Sequence, residues 1–438
     1  METISPYIWI LLVTGSVAFL IPASLTLIGV SASPERRALH VALGGLTALT
    51  LGIIVYALVG FGLQFGGLGL VSRLAGVEGL IREWSPFDVT RGPGWGVVGL
   101  DGFLILGWDH PPGIYALFFF QASLAATSVV IPALALAGRV RRPLLLLAIL
   151  LVSAVIYPLF GNWAWGGGWL AMLGQTEGLG HGFVDFAGAG VVHGLGGMVA
   201  LAGLLACGLR VRQEELAEPE ALPPVHFPLL AVLSSFLILI GGFALAAGQS
   251  MTTPDLPAPL LLVNLLVAGS AGTLLAALYT WFTTGAPEVQ MAVRGLVAGL
   301  VAASAPLPFV SPWTAAMIGG VAGLLVPLST FVVERLVRLA DSTGAVSVHA
   351  VSGLWGLLAL GLFADGRHGA GWHGVGPTEY LGVVGQGVAG WLSAPGVHPD
   401  WPGQCYAQLV GIVALVLLAL LLPWLLFKGL NRLFPTPK

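Results

Sequence analysis

Apolar residues along this chain do not alternate with polar ones. They come in long, nearly unbroken runs, separated by short polar stretches. A helix needs about 20 apolar residues to cross a bilayer. Eleven such spans are predicted, over 7–30, 39–63, 113–137, 143–163, 187–208, 227–248, 258–283, 291–309, 312–333, 346–364 and 404–427. The short alternating strands of a membrane barrel are not seen, so the expected class is an all-α integral membrane protein. The first run, in "METISPYIWILL", lacks a basic leading segment and reads as a retained span rather than a cleaved signal.

The polar connections orient the chain. Arg36, Arg37, Arg139, Arg141, Arg142, Arg210, Arg212, Arg335, Arg338, Lys428, Arg432 and Lys438 fall on one side of the predicted spans. Arg73, Arg82, Arg91 and Arg367 fall on the other, and Arg294 lies inside a span. Basic residues stay cytoplasmic, which puts the N-terminus outside and the C-terminus in the cytoplasm of a cell membrane, a prokaryotic inner membrane being the expected type. The long loops 64–112 and 365–403 are then both outside. The stretch "RVRQEELAEPEALPP" is a charged cytoplasmic linker. It divides one membrane domain, 1–438, into five-span halves, 7–208 and 227–364, with 404–427 as an extra helix.

Composition narrows the picture. Only 8% of residues are charged, against about a quarter in soluble domains. A formal charge of −3 gives nucleic-acid binding no support. The 63 glycines suit close helix packing. Cys207 and Cys405 have no metal-site spacing and read as structural.

Ionisable residues inside apolar runs carry the chemistry. The segment "DFAGAGVVHGLGG" holds Asp185-x-x-Gly188-x-x-x-Val192-His193-x-x-x-Gly197. It recurs as Asp341-x-x-Gly344-x-x-x-Val348-His349-x-x-x-Gly353. The two copies belong to the last span of each half. Five spans is an odd number, so the halves insert with opposite polarity, as inverted repeats do. If each acid and its histidine share one helix, eight residues separate them by about 12 Å. Both imidazoles then approach the bilayer midplane, where each ring nitrogen needs a partner and the other histidine offers one. The remaining histidines lie in loops or near interfaces; "HGAGWHG", with His368 and His373, offers a weak surface metal pair.

Three stretches together resemble the ammonium transporter (Amt/Mep/Rh) family: "GNWAWGGGWLAMLG" with the histidine segment after it, "RGLVAGLVAASAPLPFVSPWTAAMIGGVAGLL", and "GAVSVHAVSGLWGLLALGLFA". The likeness covers spans three to ten well and spans one and two weakly. It implies transport of ammonium or ammonia, and possible passage of methylammonium, by a homotrimer in the lipid bilayer with one pore per subunit and no cofactor. It also implies that His193 and His349 form a twin-histidine pair in the pore. Trp165 matches an aromatic vestibule residue that recruits ammonium. Phe120 matches the outer of two phenylalanines above the pore. Asp185 matches an acid that organises the recruitment site without touching the ion, and Tyr157 belongs to the same region.

Span six departs from the family. Its run "IGGFALAAGQS" puts Gly242 at a tryptophan position and Leu245 at the second phenylalanine position, with Gln249 or Ser250 where a polar vestibule contact is usual. Asn162 replaces a histidine expected before "WAWGGG". Arg294 stands where small or polar residues are usual; it either snorkels to the interface or binds something at the inner mouth. The short tail "KGLNRLFPTPK" argues against a cytoplasmic nitrogen-signalling partner. Two other readings stay open: an ammonium sensor that does not conduct, and a protein whose two histidines ligate haem or a metal.

Overall fold

The computed structural model describes residues 5–72, 74–86, 95–105, 110–211, 226–252 and 256–436. Most of the charged linker, with Arg212, and also Arg73, Arg91 and Lys438, lie outside the described residues.

Ten helices among the described residues are long and apolar enough to cross a membrane: α1 Pro6–Ser31, α2 Glu35–Leu70, α3 Pro112–Leu136, α4 Arg142–Trp165, α5 Ala189–Ala206, α6 Pro228–Met251, α7 Ala258–Thr284, α9 Pro312–Leu336, α10 Ala345–Phe363 and α11 Gly403–Leu433. A shorter apolar helix, α8 Val289–Ser304, lies between α7 and α9 in the chain. Every predicted span has a helix, and two differ instructively.

The eighth span was expected to continue to 309. Its helix stops at Ser304 after 16 residues, about 24 Å long. Pro306 and Pro308 follow directly. Proline has no N–H to give and its ring clashes with the preceding turn. The carbonyls freed by this stop are not left unpaired. Ala187 N donates to Ser304 O at 2.9 Å and Phe186 N to Ala305 O at 3.3 Å. The end of α8 therefore anchors the segment that leads into α5. The fifth span, expected from 187, starts at Ala189 because Gly188 is left-handed.

In α1 the helix bends at Phe19, three residues before Pro22, whose ring meets the carbonyl of residue 18. The most enclosed helices are α3 and α5, and α10 is also largely covered by its neighbours. Exposed Leu39, Leu229, Phe236, Phe282 and Trp313 leave the exterior apolar, which suits hydrocarbon and not water. Outside the helices, two short antiparallel pairs join β1 Glu83–Trp84 to β2 Val98–Gly99 and β3 Glu379–Tyr380 to β4 Val383–Val384.

Candidate functional site

The two motif copies build matching helix starts. α5 begins after Gly188 at φ 93° and α10 after Gly344 at φ 72°, a left-handed backbone that glycine adopts without strain. The first turns, 189–194 and 345–350, are wide π-type turns, a form that recurs at functional sites. A helix start leaves backbone N–H groups without partners. The Asp185 carboxylate accepts those of Gly188, Gly190 and Val191 at 3.2, 2.9 and 2.8 Å. The Asp341 carboxylate accepts those of Val346 and Ser347 at 3.0 and 2.8 Å. Negative charge there also suits the helix dipole. Neither acid is inside its helix, so the expected rise of about 12 Å from acid to histidine does not apply: each chain folds back, and the acid lies against the first turn.

The helices α5 and α10 run antiparallel and meet backbone to backbone. A Cβ on Gly197 would lie 2.4 Å from Ala350 N, and one on Gly353 2.4 Å from Ala189 O. No side chain fits at either position. These are the last glycines of the two motifs, and their closeness lets His193 and His349 meet. The two Nδ1 atoms are 3.1 Å apart. The rings are nearly parallel, with centroids 5.1 Å apart and planes at 10°. Both side chains are buried. For the nitrogens to bond, one Nδ1 carries a proton and the other is bare.

A cavity opens on each side of this pair. One is lined by His193 with Ala187, Ile21, Gly242, Leu245 and Ser304. The other is lined by His349 with Arg294, Thr343, Ala345 and Val348. Apart from the histidines, Arg294 and the hydroxyls of Ser304 and Thr343, the linings are apolar. Each has room for only a few water-sized molecules.

The other predicted residues fall at several places. Trp165 ends α4 and its Nε1 donates to the Asp185 carbonyl at 2.7 Å. Its ring lies beside Gly188. Phe120 is fully buried, with its ring against Gly248. Leu245 is three residues earlier on α6, so the two positions share a helix face. Gln249 and Ser250 are buried in the last turn of α6. Ser250 Oγ donates to its own helix at Ala247 O, 2.8 Å, and Gln249 Oε1 has no partner. Tyr157 packs edge-on against Tyr56, centroids 5.9 Å apart, in a cluster that continues to Phe118 and Phe61. Asn162 ties α4 to α2 by donating from Nδ2 to Gln64 O at 3.0 Å. Arg294 does not snorkel: it is 7% exposed and its Nη2 donates to Ser342 O.

Sequence reading missed the support from α11. Gln408 Oε1 accepts from Val184 N at 2.9 Å, and its Nε2 donates to Val184 O at 2.8 Å and Leu357 O at 3.2 Å. Gln404 Oε1 accepts from His181 N, and its Nε2 donates to Gly182 O, both at 2.9 Å. The signal was present as two glutamines four residues apart in an apolar run. The loop they hold leads straight to Asp185. In that loop His181 is fully buried, and neither ring nitrogen has a partner. Its ring meets Tyr380 edge-on with centroids 4.6 Å apart, and its carbonyl lies 2.9 Å from His373 Nδ1. Burial lowers the imidazoles of His181 and His373 to about 4. Among the described residues no three His, Cys, Asp or Glu side chains cluster as metal ligands.

Comparison with known proteins gives a consistent answer. The model of the Ammonium Transporter Family matches residues 8–435. The chain is 33% identical over 366 residues to the ammonium transporter Amt2 of Archaeoglobus fulgidus, covering 83% of this chain and 72% of that one. It is 29% identical over 338 residues to an ammonium transporter of Bacillus subtilis, covering 75% and 73%. Among solved structures it resembles a sensor Amt protein, with TM-score 0.77, 24% identity and coverage of 99% and 95%. It also resembles Mep2 of Candida albicans, with TM-score 0.74, 20% identity and coverage of 97% and 84%. A multi-pass membrane fold with a buried histidine pair, and a match over nearly the whole length, lead to one conclusion: this chain belongs to the ammonium transporter family.

Proposed function

We propose that the chain conducts ammonium as ammonia, with its proton handled separately, along a path through the two cavities and past His193 and His349. The observation that carries this reading is the Nδ1 to Nδ1 approach at 3.1 Å between cavities that each end on one of the two histidines. Ammonium is recruited near Trp165, whose ring is held by the Asp185 carbonyl. An aromatic face attracts a cation by about 0.5–2 kcal/mol. Carrying a charge into hydrocarbon costs at least about 2.5 kcal/mol, so the proton is shed before the apolar cavity. Phe120 and Leu245 narrow the way in, and Tyr157, Gln249 and Ser250 border the entry.

Neutral ammonia then needs only local hydrogen-bond partners. A neutral imidazole has one N–H. When one histidine donates from Nδ1, its Nε2 is bare, and the other histidine carries its proton on Nε2. The pair therefore presents one acceptor and one donor. The same reading takes the chain as a homotrimer with one path per subunit and an external N-terminus.

The test is electrical recording from proteoliposomes after an ammonium jump, beside a dye that reports internal pH, for the wild type and His193→Ala. Ammonium-dependent flux that falls in the variant supports the reading. Tight ammonium binding with no flux in the wild type overturns it in favour of a sensor.

A further inference from the structure

One buried charge has no part in that reading. Arg294 stands on α8 among Val293, Gly295 and Val297. Its Nη2 is bonded to a backbone carbonyl and its Nε has no partner. Among the described residues it makes no ion pair. Ser342, whose carbonyl it holds, also accepts from two more arginines at Oγ: Arg37 Nη2 at 2.6 Å and Arg139 Nη2 at 3.1 Å. Acids near this group include Glu334 and Asp341. Asp341 is already occupied by the first N–H groups of α10.

Arg294 also lines the cavity that ends on His349. Because α5 and α10 are antiparallel, this cavity lies beyond the histidine pair from Trp165. A guanidinium stays protonated at any physiological pH and offers only donors. A cation entering this small apolar space meets a like charge where little water screens it. Fixed arginines exclude cations from other pores in this way. Ammonia meets no such barrier, and its lone pair accepts from an N–H; ammonium has no lone pair to offer.

We propose that Arg294 is a specificity-determining residue: it bars cations from the second half of the path, so that substrate leaves the histidine pair only as neutral ammonia. The proposal rests on the transport reading above and goes further by assigning the charge state of what exits.

The test uses purified full-length protein in liposomes, with internal pH and current recorded together after an ammonium jump and corrected for protein-free vesicles. Wild type, Arg294→Gln and Arg294→Lys are compared. The expected result is a wild-type pH response with little current. Arg294→Gln raises the current per unit flux by about tenfold, equivalent to removing about 1.4 kcal/mol of barrier, and Arg294→Lys behaves as wild type. Thr343→Glu keeps Arg294 but sets a carboxylate in the same cavity. It is expected to raise the current as well, and it serves if Arg294→Gln does not fold. Equal current per unit flux in all variants overturns the proposal and leaves the transport reading standing. Flux absent in wild type but present in Arg294→Gln overturns the transport reading and keeps Arg294 as the barrier. Silence in every monodisperse variant overturns both.

Discussion

Trp165 and Asp185 are joined through the main chain, not through charge. The indole Nε1 donates to the Asp185 carbonyl at 2.7 Å, while the Asp185 carboxylate is occupied by the N–H groups that open α5. The acid therefore sets the height of the tryptophan and the start of the histidine helix together.

Removing that acid disturbs both. Asp185→Ala leaves three N–H groups without an acceptor, and a buried unsatisfied donor costs about 1–3 kcal/mol. Its melting temperature in detergent is expected to fall by several degrees, with loss of ammonium flux. Asp185→Asn keeps one acceptor oxygen and loses less. Asp341→Ala is expected to destabilise comparably, since it caps α10 in the same way. An Asp185→Ala protein as stable as wild type contradicts the capping account.

Gly353 tests the crossing of α5 and α10. A Cβ there would lie 2.4 Å from Ala189 O, so Gly353→Ala forces the backbones apart. Overpacking of this kind costs about 1–3 kcal/mol, and a displacement near 1 Å at a working site can cost about a hundredfold in rate. Gly429→Ala on α11 is the control, since nothing lies within 4 Å of the added carbon. Flux and melting temperature are expected to drop for the first and hold for the second.

Leu245 tests selectivity. It lines the cavity beside His193, at the position where the family resemblance implies a phenylalanine. Leu245→Phe fills part of that space. One methyl group of size discrimination is worth about 1–3 kcal/mol, or 10–200-fold. The ratio of methylammonium to ammonium flux is expected to fall by about tenfold in the variant. An unchanged ratio removes Leu245 from the selectivity of the pore.

His181 makes stability depend on pH. Its folded-state value is lowered from 6.5 to about 4 by burial. Between these values the unfolded chain binds a proton that the folded one refuses. Stability from this group is therefore full above pH 6.5 and is lost as pH falls toward 4. The whole effect is about 3 kcal/mol at most. His181→Phe is expected to flatten melting temperature against pH between 6.5 and 4. An identical slope in both proteins assigns the acid sensitivity to other groups.

Much of this was legible in the chain. Apolar runs reveal spans because each span satisfies its own backbone and is solvated by lipid, whatever its neighbours do. The recurring Asp, Gly and His spacing was legible too, since Asp and His are conspicuous in an apolar chain. What the spacing meant locally was misread. The chain alone did not show that Gly188 and Gly344 turn left-handed, so the step from each acid to its histidine was read as a continuous helical rise, when each acid folds back to cap the helix start. The early stop of α8 was written in Pro306 and Pro308 but hidden by the apolar residues around them.

The sequence by itself determined the membrane class, the order of the helices and the two residues to watch, because these follow from interactions between near neighbours in the chain. Tertiary structure alone decided that Gly197 and Gly353 touch the opposite backbone, that Gln404 and Gln408 hold the loop before Asp185, and that Arg294 turns inward toward a cavity and not out to the interface. These relationships join positions far apart in sequence. They depend on which surfaces pack at ångström distances, and no periodicity along one helix records its partner.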